Sequence, residues 1–282
     1  MSNKLKRECK SILYLLSHPL FFGFGIISII SNTKEYFWIS ILLGIILGLI
    51  INLLIKKCTF LKNKYLSIIN NIALLMISTY LVIKAISALY LDKTPIFIIL
   101  IPLLLILYYA SSKKEDTVFK ISNIIFIINI ILFIITFLSL IYRVNYNNFI
   151  FTNNISVKTI IVNGLLFAVL STLPYLSLRD FKENYNYKAY LLSCLFILII
   201  IFLIVGVLGV NVASIYAYPE YIVLKKISIL GFIENIQSIL FTSWIFEGFI
   251  LMNTSANNIK KHTNKKILFI VLIAVLSILL FR

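Results

Sequence analysis

The chain has 282 residues, of which 61% are hydrophobic, a mean hydropathy of +1.03 and a formal net charge of +16. This balance excludes a soluble domain, and the long unbroken apolar runs exclude a membrane β-barrel, whose strands alternate over about 10 residues. The basic residues are distributed by membrane side, so we expect a lipid bilayer and no nucleic acid as partner. The sequence predicts an all-α polytopic membrane bundle, with residues 1–282 as one integral membrane domain.

Apolar runs of membrane-spanning length, about 20 residues each, recur along the chain. We expect nine spans, the fourth and ninth of them short. They lie near residues 11–31, 36–55, 66–90, 95–110, 118–142, 158–178, 188–213, 232–254 and 265–281. Lysine and arginine concentrate in the connections that lie on the same side of the membrane as the N-terminus. This asymmetry predicts a cytoplasmic N-terminus.

The first span contains helix-breaking residues. His18-Pro19 is followed by Gly23, Phe24 and Gly25. Proline lacks a backbone donor and paired glycines destabilise a helix, so the pattern favours a break, as in transporters that bind substrate at the bilayer midplane. We name Gly23, Phe24 and Gly25 as candidate ligand-binding residues. The alternative is that the small residues allow close helix packing.

The third span carries Lys84, and a lysine inside a membrane is a functional hypothesis. The alternative is a lysine that extends to the membrane surface. Counted from the helix ends, Glu234 at the start of the eighth span has a similar depth. We therefore predict a structural ion pair between Lys84 and Glu234.

The sixth span contains Ser171, Thr172 and Pro174. Proline can break this helix as well, and the two hydroxyls can bond the carbonyl groups that it frees. Ser171 and Thr172 are candidate ligand-binding residues for this reason.

The stretch from Phe232 to Asn253 is long enough to span a bilayer, yet it carries Glu247 in its apolar part. Intramembrane carboxyl groups usually face protein or a water-filled cavity. We predict that Glu247 is a ligand-amine or proton site between the first, sixth and eighth spans. The alternative is a neutral carboxyl group that is hydrogen-bonded for packing.

Residues for catalysis are scarce. No hydrolase triad, phosphate-binding glycine loop or pair of catalytic carboxylates occurs, and Cys9, Cys58 and Cys194 lack metal-site spacing. We expect no enzyme activity, no cofactor and no metal site.

Several segments together resemble a known family: LYLDKTPIF, IPLLLILYYASSKKE, LPYLSLRDFKEN and YPEYIVLKKISILGFIENIQSILFTSWIFEGFI. Over residues 11 to 260 the chain resembles the B subunit of bacterial spore germinant receptors, the spore germination permease family. That family is similar to amino-acid/polyamine/cation transporters with a five-plus-five inverted repeat. The resemblance implies a first repeat over 11–142 and an incomplete second repeat over 158–281, without the tenth helix. The chain departs from the family at Phe167-Ala168, Asn235 and Gln237, where members often carry charged residues.

The resemblance implies a nutrient-sensing subunit of the spore inner membrane that triggers germination. A small nutrient, an amino acid by expectation, would bind between the first, third, sixth and eighth spans. The partners would be A-type and lipoprotein C-type receptor subunits. The alternatives are a secondary transporter (permease) of amino acids or related solutes, and a structural subunit without a ligand site.

Overall fold

The computed structural model describes residues 3–57, 64–113, 115–152, 154–178, 187–227 and 236–280. These residues form helices and connecting turns, with no β-strand among them, which confirms the predicted helical bundle. The helices are α1 (Asn3–Leu16), α2 (Ile26–Thr33), α3 (Phe37–Lys57), α4 (Lys64–Leu89), α5 (Ile96–Ser111), α6 (Glu115–Ile141), α7 (Val157–Leu178), α8 (Tyr187–Leu208), α9 (Val210–Ile215), α10 (Pro219–Leu224), α11 (Ile236–His262) and α12 (Lys265–Leu280). Single turns of tighter helix cover Lys34–Tyr36 and Tyr146–Phe149.

Six helical segments of the described chain are long and apolar enough to cross a membrane. They are Lys10–Ile55, Lys64–Leu89, Thr117–Ile141, Val157–Ser177, Tyr187–Leu208 and Gln237–His262. The first is interrupted at Lys34, where φ is 48° and ψ is −124°. Two further apolar helices, Ile96–Ser111 and Ile267–Ile278, are shorter than these six. The described residues therefore support a helical membrane protein with six candidate spanning segments by length and composition, and they do not by themselves show the predicted nine.

Two predicted span ends differ from the structure. The seventh was predicted to reach residue 213, but α8 ends at Leu208 because Gly209 has φ +77° and the chain restarts as α9. The eighth was predicted to end at residue 254, but α11 continues to His262. Its polar continuation is buried, and the Asn258 side chain donates to the Ser177 carbonyl of α7, so protein contacts keep this segment helical.

Glycines mark the closest helix contacts. A Cβ atom at Gly44 would lie 2.7 Å from the carbonyl oxygen of Gly164, which places α3 directly against α7. A Cβ atom at Gly248 would lie 2.5 Å from a Val82 methyl group, which places α11 against α4. Small residues at these positions allow the helix backbones to approach closely.

The core has two apolar clusters joined by aromatic residues. One cluster is centred on α1, α3, α7 and α8, and the other on α4, α5, α11 and α12. Between them lies an aromatic cluster, composed of Tyr218, Tyr221, Phe241 and Trp244, against which Phe22 packs. The interrupted first span therefore meets α10 and α11 at the centre of the fold.

Candidate functional site

The first span is broken between α1 and α2. Helix α1 ends at Leu16, Pro19 follows in a turn, and α2 begins at Ile26. Within the irregular segment Phe22 is extended, with ψ 134°, and Gly23 has φ +68°. A side chain at this positive φ would be strained, so glycine is the residue that fits. The break predicted from the proline and glycine pattern is present.

Two residues at the start of α10 hold the broken segment. The Gly23 N–H donates to Oε1 of Glu220 at 2.8 Å. The Tyr218 ring covers the same glycine, and a Cβ atom there would lie 2.5 Å from the ring. The irregular backbone leaves N–H groups without helix partners, and the carboxyl group of Glu220 accepts a hydrogen bond from one of them.

A second buried acid, Glu247 of α11, joins three helical segments. Its Oε2 lies 3.2 Å from Nδ1 of His18, beside Pro19 in the first span. Its Oε1 accepts a hydrogen bond from the Asn129 amide of α6. The His18 ring stacks on Phe196 of α8, with 4.7 Å between ring centroids. His18 is therefore an ionisable partner of Glu247 from another span.

The two acids line one cavity of about 80 Å³, which we call the acidic cavity. Its walls come from the broken segment, α6, α8, α10 and α11. Its lining residues are Phe22, Asn129, Leu132, Phe133, Thr136, Leu140, Phe196, Ile200, Leu203, Ile204, Glu220, Val223, Leu224, Leu240, Ser243, Trp244 and Glu247. Its lining, which is mainly apolar with a few polar groups, has the composition of small-molecule sites.

Three polar atoms of the acidic-cavity residues have unused hydrogen-bonding capacity. Oε2 of Glu220, Oδ1 of Asn129 and Nε1 of Trp244 are buried and have no hydrogen-bond partner among the described residues. Nε2 of His18, whose ring contacts Glu247, is also buried and has no hydrogen-bond partner among the described residues. Buried polar atoms nearly always have partners, so this cluster indicates a place for a polar ligand or for water.

Glu220 lies on the short helix α10, outside the six spanning segments. Burial raises the pKa of its carboxyl group to about 7, against the smaller lowering effects of its backbone hydrogen bonds. Glu220 therefore changes its charge close to neutral pH.

A groove on the outer surface of the bundle lies beside the acidic cavity, and we call it the α6–α11 groove. It shares Asn129, Leu132 and Ser243 with the cavity. The remaining wall is largely apolar and includes Ile239 and Phe246, both exposed. The groove therefore places an apolar surface next to the cavity.

The structure brings two of the predicted site residues together, since Gly23 and Glu247 both belong to the region of the acidic cavity. The other four lie elsewhere. Phe24 is 46% exposed on the outer surface, and Gly25 packs against Leu170. Their ligand-binding role stays a prediction that the acidic cavity does not support.

Ser171 and Thr172 both bond within the bundle. The Ser171 hydroxyl bonds the Ala168 carbonyl and the Tyr190 hydroxyl, each at 3.0 Å. Thr172 donates to the Ala168 carbonyl at 2.7 Å. These contacts give both side chains a structural role in α7, and neither residue lines the acidic cavity.

The predicted pair of Lys84 and Glu234 stays untested, because Glu234 lies outside the described residues. Lys84 is exposed on α4, and its Nζ lies 5.5 Å from the centroid of the Tyr80 ring.

Sequence reasoning missed Glu220, His18 and Asn129 as site residues. His18 carried a usable signal, since an ionisable residue inside a span is a functional candidate. Asn129 is an isolated amide in the apolar run of α6. Glu220 stands among aromatic residues in a connection, and only the fold shows that this connection packs against the broken helix.

The fold and site together define a helical membrane protein with a broken first span and a buried acidic cavity. No group of histidine, cysteine and acidic residues suited to a metal ion occurs within the described part of the chain. Comparisons with family models, curated proteins and solved structures find no match.

Proposed function

We propose that this chain is a nutrient-sensing membrane subunit that binds a small molecule, such as an amino acid, in the acidic cavity. The observation that carries the proposal is the pair of buried carboxyl groups, Glu220 and Glu247, facing a cavity beside the broken first span. Buried acids of this kind mark ligand or ion sites in membranes. The sequence resemblance to germinant-receptor B subunits then favours nutrient sensing in the spore inner membrane.

The proposed membrane arrangement has nine spans. The interrupted α1–α2 unit forms the first, followed by α3, α4, α5, α6, α7, α8, α11 and α12. The helix bounds support this arrangement, because nine apolar helical units lie close to the predicted positions. The distribution of lysine and arginine favours a cytoplasmic N-terminus. An inverted repeat of the spans is part of this proposal.

Ligand binding would act through the broken segment. Gly23 is bonded to Glu220 on α10, and His18 is bonded to Glu247 on α11. A charged ligand bound beside the acids would change the electrostatic environment of both contacts and, through them, the angle between α1 and α2. Partner A-type and lipoprotein C-type subunits would detect that movement.

The test is a binding assay with purified full-length protein and the common L-amino acids, followed by a germination assay in spores. Glu247→Gln keeps the shape of the side chain and removes its charge, so we expect loss of ligand binding and of the germination response. Glu35→Gln is the matched control, since Glu35 is also buried but hydrogen-bonds Thr152 away from the cavity. Normal binding and germination in Glu247→Gln would contradict the proposal.

The second candidate function is proton-coupled transport of a similar solute. The buried contact of His18 with Glu247 favours it, because two ionisable groups between moving helices are suited to carry a proton. Purified protein in vesicles with an imposed pH gradient tests this candidate. Amino-acid accumulation that depends on the gradient supports transport, whereas binding without accumulation supports the receptor.

A further inference from the structure

We propose that the acidic cavity selects a small primary amine with an apolar body and no carboxylate. Glu220 and Asn129 supply the oxygen atoms that receive the ammonium group. This inference rests on the proposed function and narrows its ligand class, because an amino acid carries a carboxylate that the cavity is poorly equipped to hold.

The charges around the cavity favour a cation. Its lining includes the carboxyl groups of Glu220 and Glu247, and no lysine or arginine among the described residues. The imidazole of His18 is the nearby basic group, and its Nδ1 already contacts Glu247. A ligand carboxylate would therefore be buried beside two acids, without a lysine or arginine of the lining to pair with it. Such burial has a high desolvation cost.

The backbone at the helix break offers no free donor at Gly23. In transporters with broken helices, free backbone N–H groups at such a break hold the anionic group of the substrate. Here the Gly23 N–H is bonded to Glu220 at 2.8 Å, and the Tyr218 ring covers the same residue. The carboxylate of the protein thus occupies the position that a ligand carboxylate would otherwise take.

The unused polar atoms match an ammonium group better than an amino acid. An ammonium has three donors and no acceptor, and two unpartnered oxygens are available, Oε2 of Glu220 and Oδ1 of Asn129. The indole N–H of Trp244 is a buried donor of the lining that has no partner among the described residues. A single neutral N–H suits a water molecule or a hydroxyl group but does not balance the charge of a buried carboxylate.

The apolar surroundings define the rest of the ligand. Phe22 and Trp244 form an aromatic wall, with 5.3 Å between ring centroids, and such rings also attract cations. The α6–α11 groove adds an apolar surface next to the cavity. An alkyl or aryl amine fits both features.

Matched ligand pairs test the inference on purified full-length protein. The pairs are ethylamine with L-alanine, isobutylamine with L-valine, and phenethylamine with L-phenylalanine. The chain has two tryptophans, and Trp38 is exposed, so Trp38→Phe leaves Trp244 as the fluorescent reporter of the cavity. Isobutanol serves as the control ligand without an amine.

We expect at least one amine to bind about tenfold or more tightly than its amino acid, and isobutanol not to bind. Glu220→Gln should weaken amine binding by at least about tenfold, whereas Glu35→Gln should leave it unchanged. Amino acids that bind as tightly as their amines would overturn the inference and leave the proposed function intact. Isobutanol binding as tightly as isobutylamine would also overturn it. Failure of all six ligands and of the other L-amino acids would overturn the proposed function as well.

Discussion

Two proline-containing spans behave differently in this molecule. Pro19 lies where the first span breaks, whereas Pro174 lies inside α7, which continues from Val157 to Leu178. Both sequences combine proline with small or hydroxylated residues, and both suggest a break. Proline alone therefore does not decide where a membrane helix is interrupted.

The difference lies in what surrounds each proline. At the first span Gly23 adopts a positive φ, and Glu220 arrives from α10 to accept its N–H. In α7 the hydroxyls of Ser171 and Thr172 bond carbonyl groups of their own helix. An unsatisfied backbone group in a membrane costs several kcal/mol, so a break persists only where another part of the protein supplies a partner.

The largest expected effect comes from removing the acid that anchors the broken span to α11. Glu247→Leu leaves the His18 imidazole and the Asn129 amide without their partner, and each such buried group costs about 1–3 kcal/mol. We expect a loss of about 2–6 kcal/mol in the free energy of unfolding, measured in detergent micelles. The double variant with His18→Leu should lose less than the sum of the two single variants. If the stability losses of the two single variants simply add in the double variant, the contact between His18 and Glu247 does not stabilise the broken segment.

The next effect concerns the glycine of the break. Gly23→Ala places a side chain at φ +68°, which costs about 1–2 kcal/mol, and presses it against Tyr218. Tyr218→Ala in the same chain should relieve the contact but not the backbone strain. Thermal unfolding of the two variants measures this partial rescue. Wild-type stability in Gly23→Ala would mean that the first span is a continuous helix.

A smaller effect is the pH dependence of ligand binding. Burial raises the pKa of Glu220 from 4.5 to about 7, so the folded protein retains the carboxyl proton up to neutral pH. The contribution of Glu220 to folding stability therefore decreases as the pH rises from 4.5 through 7. An ammonium needs the charged form, so isobutylamine affinity should increase about tenfold between pH 6 and pH 8. Glu220→Gln should lose this dependence while retaining Glu247 and His18. An unchanged pH profile in the variant would assign the titration to those two residues instead.

The smallest expected effect is in the other proline span. Pro174→Ala restores a backbone donor in a helix that is already continuous, so ligand binding should stay within about twofold of wild type and stability should not decrease. Binding titrations and thermal unfolding measure both quantities. Loss of binding would mean that Pro174, like Pro19, belongs to a functional break, and the contrast between the two spans would disappear.

The sequence predicts the helical bundle well, because apolar runs of membrane length carry a strong signal. It also predicts the break at Gly23 and a Glu247 that faces protein rather than lipid, since glycine pairs destabilise helices and acids inside a span are rare. It does not predict that Glu220 binds the break, because that contact joins residues 197 positions apart. The pattern at Ser171 and Thr172 predicts a ligand site, whereas their hydroxyls bond inside the bundle, so their ligand-binding role stays a prediction.

The central claim is that the broken first span borders the ligand cavity, and the backbone amide of Gly23 reports on it directly. The chain has nine glycines, so a spectrum of isotope-labelled glycine is simple, and loss of one signal in Gly23→Ala assigns the resonance. Adding isobutylamine, or the amino acid that binds best, should shift the Gly23 amide and leave Gly44 and Gly164, at the contact of α3 with α7, unchanged. A shift of Gly44 or Gly164 with an unmoved Gly23 would contradict the account.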